Sequence, residues 1–313
     1  MSLKTSIVMA TYNGEKFIYD QLKSILNQTQ IPDEVLIFDD GSTDTTIDII
    51  NNFIADNNTH NWVLFENSHN KGYKLNFLNG ILKSSGDIIF LCDQDDVWMK
   101  NKIEFATHLF NDNSEMLALH TDTDIINEKN TTLLKNTQKY TKTLVKYGQN
   151  EFKKKMNYPG MALILNGRFA KESVLEILKS QITIPTHDWT LCALACIKNG
   201  FYTSNKVLTQ RRFHEENVAL QISNEITGDI NERVLLLEKY ISYYQIFNFF
   251  NQVEDLEDDF YLLTINRIGI LNSFSIKYLW NIIKRINKYP SIRGALADLL
   301  YSLRLKKLIK KFK

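Results

Sequence analysis

The feature that most constrains this chain is an alternation, over its first hundred residues, of short apolar runs with segments of helical spacing. Residues 6–10, 35–38, 62–65 and 88–92 are compact, almost unbroken apolar runs of the kind that strands buried on both faces require. Between them, 15–26 sets Phe17, Ile18, Leu22, Ile25 and Leu26 at helical intervals, and 43–54 does the same with Ile47, Ile49, Ile50, Phe53 and Ile54. Strand, helix and strand in repetition predict an α/β fold with a largely parallel sheet. In such sheets ligands collect outside the carboxyl ends of the strands, near the switch in strand order. The residues just after each run therefore matter most: Thr11, Tyr12 and Asn13, then Asp39 and Asp40, then Asp93, Asp95 and Asp96.

Further along, 116–126 reads as a strand bearing Asp122 and Asp124, while 128–158 is polar, Lys-rich and without clear period, which predicts a mobile loop. Regular patterns resume at 161–165, with helices over 169–178 and 189–197 and a strand over 202–210; from 230 onward the pattern is mostly helical. The expected division is an α/β domain over 1–225, in two parts at 1–127 and 128–225, followed by a helical region over 226–313. Lys+Arg of 37 against Asp+Glu of 36 leaves no global basic field, which argues against a nucleic-acid partner. Cys92, Cys192 and Cys196 make neither a disulfide framework nor a CxxC pair. Neither a secretory signal nor an apolar run of membrane-spanning length is present, so the expected location is the cytoplasm.

The chemistry centres on Asp93-Gln94-Asp95 at a strand end. Two carboxylates one residue apart form either a solvated acidic turn or a seat for a hard divalent cation such as Mg²⁺ or Mn²⁺, which accepts phosphate oxygens and water as its other ligands. Asp39-Asp40-Gly41-Ser42-Thr43-Asp44 is partly a turn and helix start: Gly41 permits the bend, Ser42 or Thr43 can cap, and Asp44 suits a helix N-terminus. Of the two further carboxylates at the strand end, Asp39 and Asp40, one can accept a hydrogen bond from the imide of a pyrimidine; Asp40 is the candidate, with Asp39 read as a turn residue.

Thr11-Tyr12-Asn13, Asp39 to Asp44 and Asp93 to Asp95 together resemble the family 2 glycosyltransferases of GT-A fold, in collinear order over roughly residues 4–218. The resemblance implies a Rossmann-like, mostly parallel mixed sheet flanked by helices, with a C-terminal helical appendage. It also implies that residues 1–127 bind a nucleotide-sugar donor and residues 128–225 form the acceptor side, that the first motif (Thr11, Tyr12, Asn13) and Asp40 hold the donor's nucleoside, that Asp93 faces the ribose, and that Asp95 binds the metal. Charge reasoning agrees, since an acidic site with no glycine-rich phosphate cradle can take a diphosphate only with a cation between them.

Asp188, in His187-Asp188-Trp189, either caps the helix expected over 189–197 or takes the acceptor hydroxyl's proton as the base of an inverting transfer. The His-Asp-Trp form resembles the rhamnosyltransferase-like branch. Arg211-Arg212-Phe213-His214 aligns Arg212 with the family's phosphate-side arginine and His214 with its metal-side histidine, although Arg211 stands where an aromatic is usual. Asn70 and Gly72 resemble the family's donor-side turn, and Gly160 is a candidate for the acceptor side. Trp98 and Trp189 are either sugar platforms or core.

The expected reaction moves a sugar, rhamnose being one candidate, from a UDP- or dTDP-sugar to a glycan or lipid-linked glycan acceptor in surface-polysaccharide synthesis. A non-catalytic nucleotide-sugar-binding module and a sugar nucleotidyltransferase are the alternatives. Leu305, Leu308, Ile309 and Phe312 alternate with Arg304, Lys306, Lys307, Lys310, Lys311 and Lys313 in a basic amphipath, which suits either a solvated helix or peripheral contact with anionic membrane lipid.

Overall fold

The four apolar runs form four parallel strands, β1 (Thr5–Thr11), β2 (Glu34–Asp39), β3 (Trp62–Glu66) and β4 (Ile88–Asp93), in the order β3-β2-β1-β4. Their alternating residues Ile7, Met9, Val35, Ile37, Ile88 and Phe90 are buried against Ile18, Leu22 and Ile25 of α1 (Ile18–Leu26) and Ile50 of α2 (Thr46–Asn57). Strands covered on both faces have no solvated side to leave polar, which is why they read as unbroken apolar runs. The computed structural model describes residues 3–214 and 230–303.

After β4 the sheet becomes mixed. The elements that follow are β5 (Val97–Trp98), α4 (Lys102–Asp112), β6 (Ala118–Ile126), β9 (Leu163–Asn166), α6 (Gly167–Ser180), α7 (His187–Ile197) and β10 (Phe201–Arg212), while α3 (Tyr73–Lys83) lies between β3 and β4. The strand path runs β3-β2-β1-β4-β9-β6-β10-β5, with β9 antiparallel to both neighbours and β10 parallel to β6. The segment 128–158, expected to be a loop, contains β7 (Thr132–Leu134) beside β6, β8 (Val145–Lys146) beside β10, and α5 (Gln149–Lys154). These elements are too short to impose a period on the sequence.

The chain divides into two compact units, Met1–Tyr147 with Tyr158–Glu216, and Gly148–Asn157 with Asn217–Lys313. Residues 148–157, placed by the sequence with the first domain, thus cluster with the helical unit. There Phe152 packs on Phe247, with centroids 5.7 Å apart, and Lys153 Nζ donates to Asp258 (2.6 Å) and Asn248 (3.2 Å). The second unit also contains α8 (Ile230–Asn251), α9 (Asp259–Asn272), α10 (Ile276–Ile283) and α11 (Ile292–Ser302) around Leu237, Leu263, Ile270, Ile282 and Tyr301. The expected boundary at 225/226 and the basic amphipath from Arg304 to Lys313 lie outside the described residues. No described helix is long and apolar enough to cross a membrane.

Candidate active site

Strand order reverses at β1, which has β2 on one side and β4 on the other, so the chain segments leaving β1 and β4 border the crevice where such sheets bind ligands. Gln94, the middle residue of the acidic triplet, joins the two segments. Its Oε1 accepts from Tyr12 N (2.8 Å) and its Nε2 donates to Tyr12 O (2.9 Å).

The turn after β2 is built by its own polar side chains. Asp39 accepts from Thr11 Oγ1 (2.8 Å), Gly41 N (3.0 Å), Ser42 N (2.7 Å) and Ser42 Oγ (2.6 Å), while Gly41 takes the left-handed φ of +82° that the bend needs. Asn13 Oδ1 accepts from Thr43 N (2.9 Å), tying the first motif to the same turn. The cap of α2 is neither Ser42 nor Thr43; Asp44 Oδ1 accepts from Thr46 N (3.0 Å) at the helix start. Asp40, only 2% exposed, accepts from Asn67 Nδ2 (3.0 Å), Lys71 N (2.9 Å) and Gly72 N (2.8 Å), and Asn70 Oδ1 also accepts from Gly72 N (2.9 Å). Asp40, Asn70 and Gly72 are therefore one cluster. Gly72 has φ +87° and open space where a Cβ would stand.

The acidic cluster gathers Asp93, Asp95 and Asp188. Burial, the neighbouring Asp95 carboxylate and, more weakly, that of Asp188 push the Asp93 carboxyl up to about 7, against the opposing pull of Arg211 and Lys102. His214, just past β10, has Nε2 2.7 Å from Asp95 Oδ2, with its ring against Phe17. Asp96 Oδ1 accepts from Arg212 N (2.9 Å), but its Oδ2 is buried without a partner among the described residues; burial and the Asp95 and Asp93 charges raise it well above the usual carboxylate range. Lys102, fully buried, donates to Met161 O (2.7 Å) and Thr209 Oγ1 (2.9 Å) and stands 3.8 Å above the Trp98 ring; burial brings its ammonium down to about 7.

Helix α7 begins at His187, two residues before the expected start, and Thr186 Oγ1 is its cap, accepting from Trp189 N (3.3 Å). Asp188 is thus not the cap. Its Oδ1 accepts from Trp189 N (2.7 Å), and its Oδ2 has no hydrogen-bond partner among the described residues. A Cβ added at Gly160 would stand 3.5 Å from that Oδ2 and 3.3 Å from His187 Nε2, so the glycine keeps space open beside the carboxylate. His187 is buried and stacked on Phe77 (4.3 Å), and neither ring nitrogen has a partner among the described residues. Burial pulls its pKa below the ordinary histidine value.

Arg212 departs from its expected place on a phosphate. It is fully buried and donates to Asp95 O (2.8 Å), Asn127 O (3.3 Å), Glu128 O (3.2 Å), Asn130 Oδ1 (2.6 Å) and Asp20 Oδ2 (3.2 Å). Its guanidinium is a staple that fixes the main chain at Asp95. Arg211, its half-buried neighbour, is the arginine whose charge acts on Asp93 and Asp96. Trp98 and Trp189 are 3% and 2% exposed and belong to the core. Cys92, Cys192 and Cys196 are free and buried.

Sequence reasoning missed Gln94, Lys102 and Arg211. Gln94 was visible as the central residue of the triplet and Arg211 as the departure from the family pattern. Lys102 carries no signal beyond opening a helix shortly after the acids. Among the described residues no three His, Cys, Asp or Glu side chains are grouped to hold a metal. Asp95 and His214 nonetheless form an adjoining carboxylate and imidazole, a donor pair that suits a divalent cation completed by ligand oxygens.

A mixed α/β sheet of this topology, with acidic strand ends facing its switch point, defines a nucleotide-sugar-type GT-A scaffold. Residues 6–170 match glycosyl transferase family 2, and the chain belongs to that family; it is a glycosyltransferase. It is 30% identical over 226 residues to the dTDP-rhamnosyl transferase RfbG of Shigella flexneri, covering 67% of this chain and 72% of that one. It is 38% identical over 104 residues to the UDP-Glc:alpha-D-GlcNAc-diphosphoundecaprenol beta-1,3-glucosyltransferase WfaP of Escherichia coli, covering 33% of this chain and 39% of WfaP. In fold it is similar to S. aureus TarS 1-349 solved with UDP-GlcNAc (TM-score 0.60, 16% identity, 99% of this chain and 87% of that one). The mannosyltransferase PcManGT from Pyrobaculum calidifontis, solved with GDP-Man and Mn²⁺, is also similar (TM-score 0.55, 14% identity, 99% and 87%).

Proposed function

We propose that this chain is an inverting transferase that moves a sugar from a UDP- or dTDP-sugar to an acceptor hydroxyl. The observation that carries the reading is Asp188: a carboxylate oxygen without a partner among the described residues, beside the gap at Gly160 and electrostatically coupled to Asp93. Asp188 Oδ2 takes the proton of the acceptor hydroxyl as that oxygen bonds to the anomeric carbon and the bond to the diphosphate oxygen breaks on the opposite face. The products are the inverted glycoside and a nucleoside diphosphate.

Asp95 and His214 are the residues that would hold Mg²⁺ or Mn²⁺, with diphosphate and water as its other ligands; when bound, the ion offsets charge on the leaving group. Thr11, Tyr12, Asn13, Asp40, Asn70 and Gly72 line the nucleoside side, and Asp93 faces the ribose. Arg212 positions the Asp95 main chain, and Arg211 supplies the cation that faces the acids. The likeness to RfbG favours a rhamnosyl donor, and that to WfaP favours a lipid-linked acceptor.

Asp188→Asn tests the assignment. The amide cannot take the proton, so transfer should fall by about 10²–10⁴-fold while donor binding is retained. Transfer at the wild-type rate would remove Asp188 from the reaction.

A further inference from the structure

Helix α10 is apolar on two faces. Tyr278, Leu279 and Ile282 turn into the core of the second unit, whereas Ile276, Trp280 and Ile283, spaced i, i+4 and i+7, point outward and are 78%, 59% and 50% exposed. Helices of water-facing proteins place polar residues on such a row. Ile286, in the turn that follows, continues it at 51% exposed. Lys277 and Lys284 stand exposed along its edge, the latter with Nζ 5.8 Å from the Trp280 ring.

The charges carried by α10 and its C-terminal cap, Lys277 and Lys284, are basic, and Arg285 just past its end is paired with Asp259 (2.9 Å). From residue 260 to 303 the sequence has six lysines and arginines against a single acid, Asp298, although the whole chain is balanced at +1. That acid is buried and paired with Arg233, Arg267 and Tyr289, so it presents no negative charge outward. An apolar row containing an outward tryptophan, edged by lysines and set in a segment stripped of surface acids, complements an apolar layer beneath an anionic one.

We infer that the outward face of α10 lies in the interface of an anionic phospholipid bilayer, with Ile276, Trp280 and Ile283 among the acyl chains and Lys277 and Lys284 at the headgroup phosphates. This surface does not include the basic segment Arg304 to Lys313, which lies outside the described residues. It rests on the second unit alone and not on the transferase reading.

The test is co-sedimentation of the full chain with phosphatidylcholine vesicles, with and without phosphatidylglycerol. The variants are I276S/W280S/I283S and, separately, K306Q/K307Q/K310Q/K311Q, each checked for an unchanged circular dichroism spectrum and unchanged nucleotide-sugar binding. Expected are binding that requires phosphatidylglycerol and a loss of about tenfold or more in the serine variant, with the glutamine variant retaining most of it. The inference is overturned if the serine variant binds like the wild type, if the glutamine variant alone loses binding, or if the wild type ignores phosphatidylglycerol. It is also overturned if the wild type self-associates through this face, with the serine variant monomeric and neither bound to vesicles.

Discussion

The two units treat buried charge in opposite ways. In the helical unit the buried ions among the described residues are answered: Asp298 accepts from Arg233, Arg267 and Tyr289, and Lys153 donates to Asp258 and Asn248. In the α/β unit four acids, Asp93, Asp95, Asp96 and Asp188, crowd together beside Arg211 and Lys102; His214 adjoins Asp95, but Asp96 Oδ2 is buried without a partner and Asp188 Oδ2 accepts no hydrogen bond among the described residues. Burying charge is costly unless it is paired, so a matched cluster is compatible with pure architecture, whereas an unmatched one needs a ligand to complete it. The contrast teaches where to look for chemistry in this molecule.

The comparison breaks first if the matched cluster proves dispensable. Asp298→Asn leaves two buried guanidiniums facing one neutral amide and should destabilise the helical unit by about 3–5 kcal/mol in denaturant unfolding. Despite its burial, the Asp298 carboxyl is held below its ordinary value by Arg267 and Arg233. Its folded pKa being depressed, its contribution is present above the unfolded value near ~3.9 and is lost as pH falls through the lower folded value. The stability difference between wild type and variant should therefore narrow only at strongly acid pH, and a gap that closes near neutrality would contradict the pairing.

The arginine pair sharpens the contrast within the α/β unit. Arg212→Gln deprives several main-chain oxygens of donors and should cost about 3 kcal/mol of stability. Arg211→Gln should leave the melting temperature nearly unchanged but weaken nucleotide-sugar binding about tenfold, as loss of one charge-assisted contact does. Equal effects on stability would erase the distinction between staple and site. The smallest change expected is at Gly160: an alanine methyl would crowd His187 Nε2 at 3.3 Å and fill the space against Asp188 Oδ2 at 3.5 Å, raising acceptor KM several-fold, by about 1 kcal/mol, with donor KM unaffected.

Much of this was legible in the sequence because β1 to β4 are doubly buried and announce themselves as apolar runs, and because the polar residues at their ends follow directly from where such runs stop. The start of α7 was misplaced by two residues because Thr186 and Asp188 are both competent caps, and only the backbone decides which one caps. That Arg212 is the buried one of the two arginines was hidden for a similar reason. Neighbouring strand residues face opposite sides, and β10 changes register twice between Ser204 and Thr209, so no count along the sequence fixes which arginine turns inward. Residues 148–157 escaped notice because their partners, Phe247 and Asp258, lie about a hundred positions away in the chain.

The central claim is that the crowded acids of the α/β unit become a donor site when a divalent ion joins them. Calorimetric titration of the full chain with UDP- and dTDP-sugars, in Mn²⁺ and again after chelation, addresses it directly. The account predicts tight binding of one donor with Mn²⁺ that chelation weakens by at least about tenfold, and that Asp95→Asn weakens likewise. Binding that is equally strong without metal, or no binding of any donor in its presence, would contradict it.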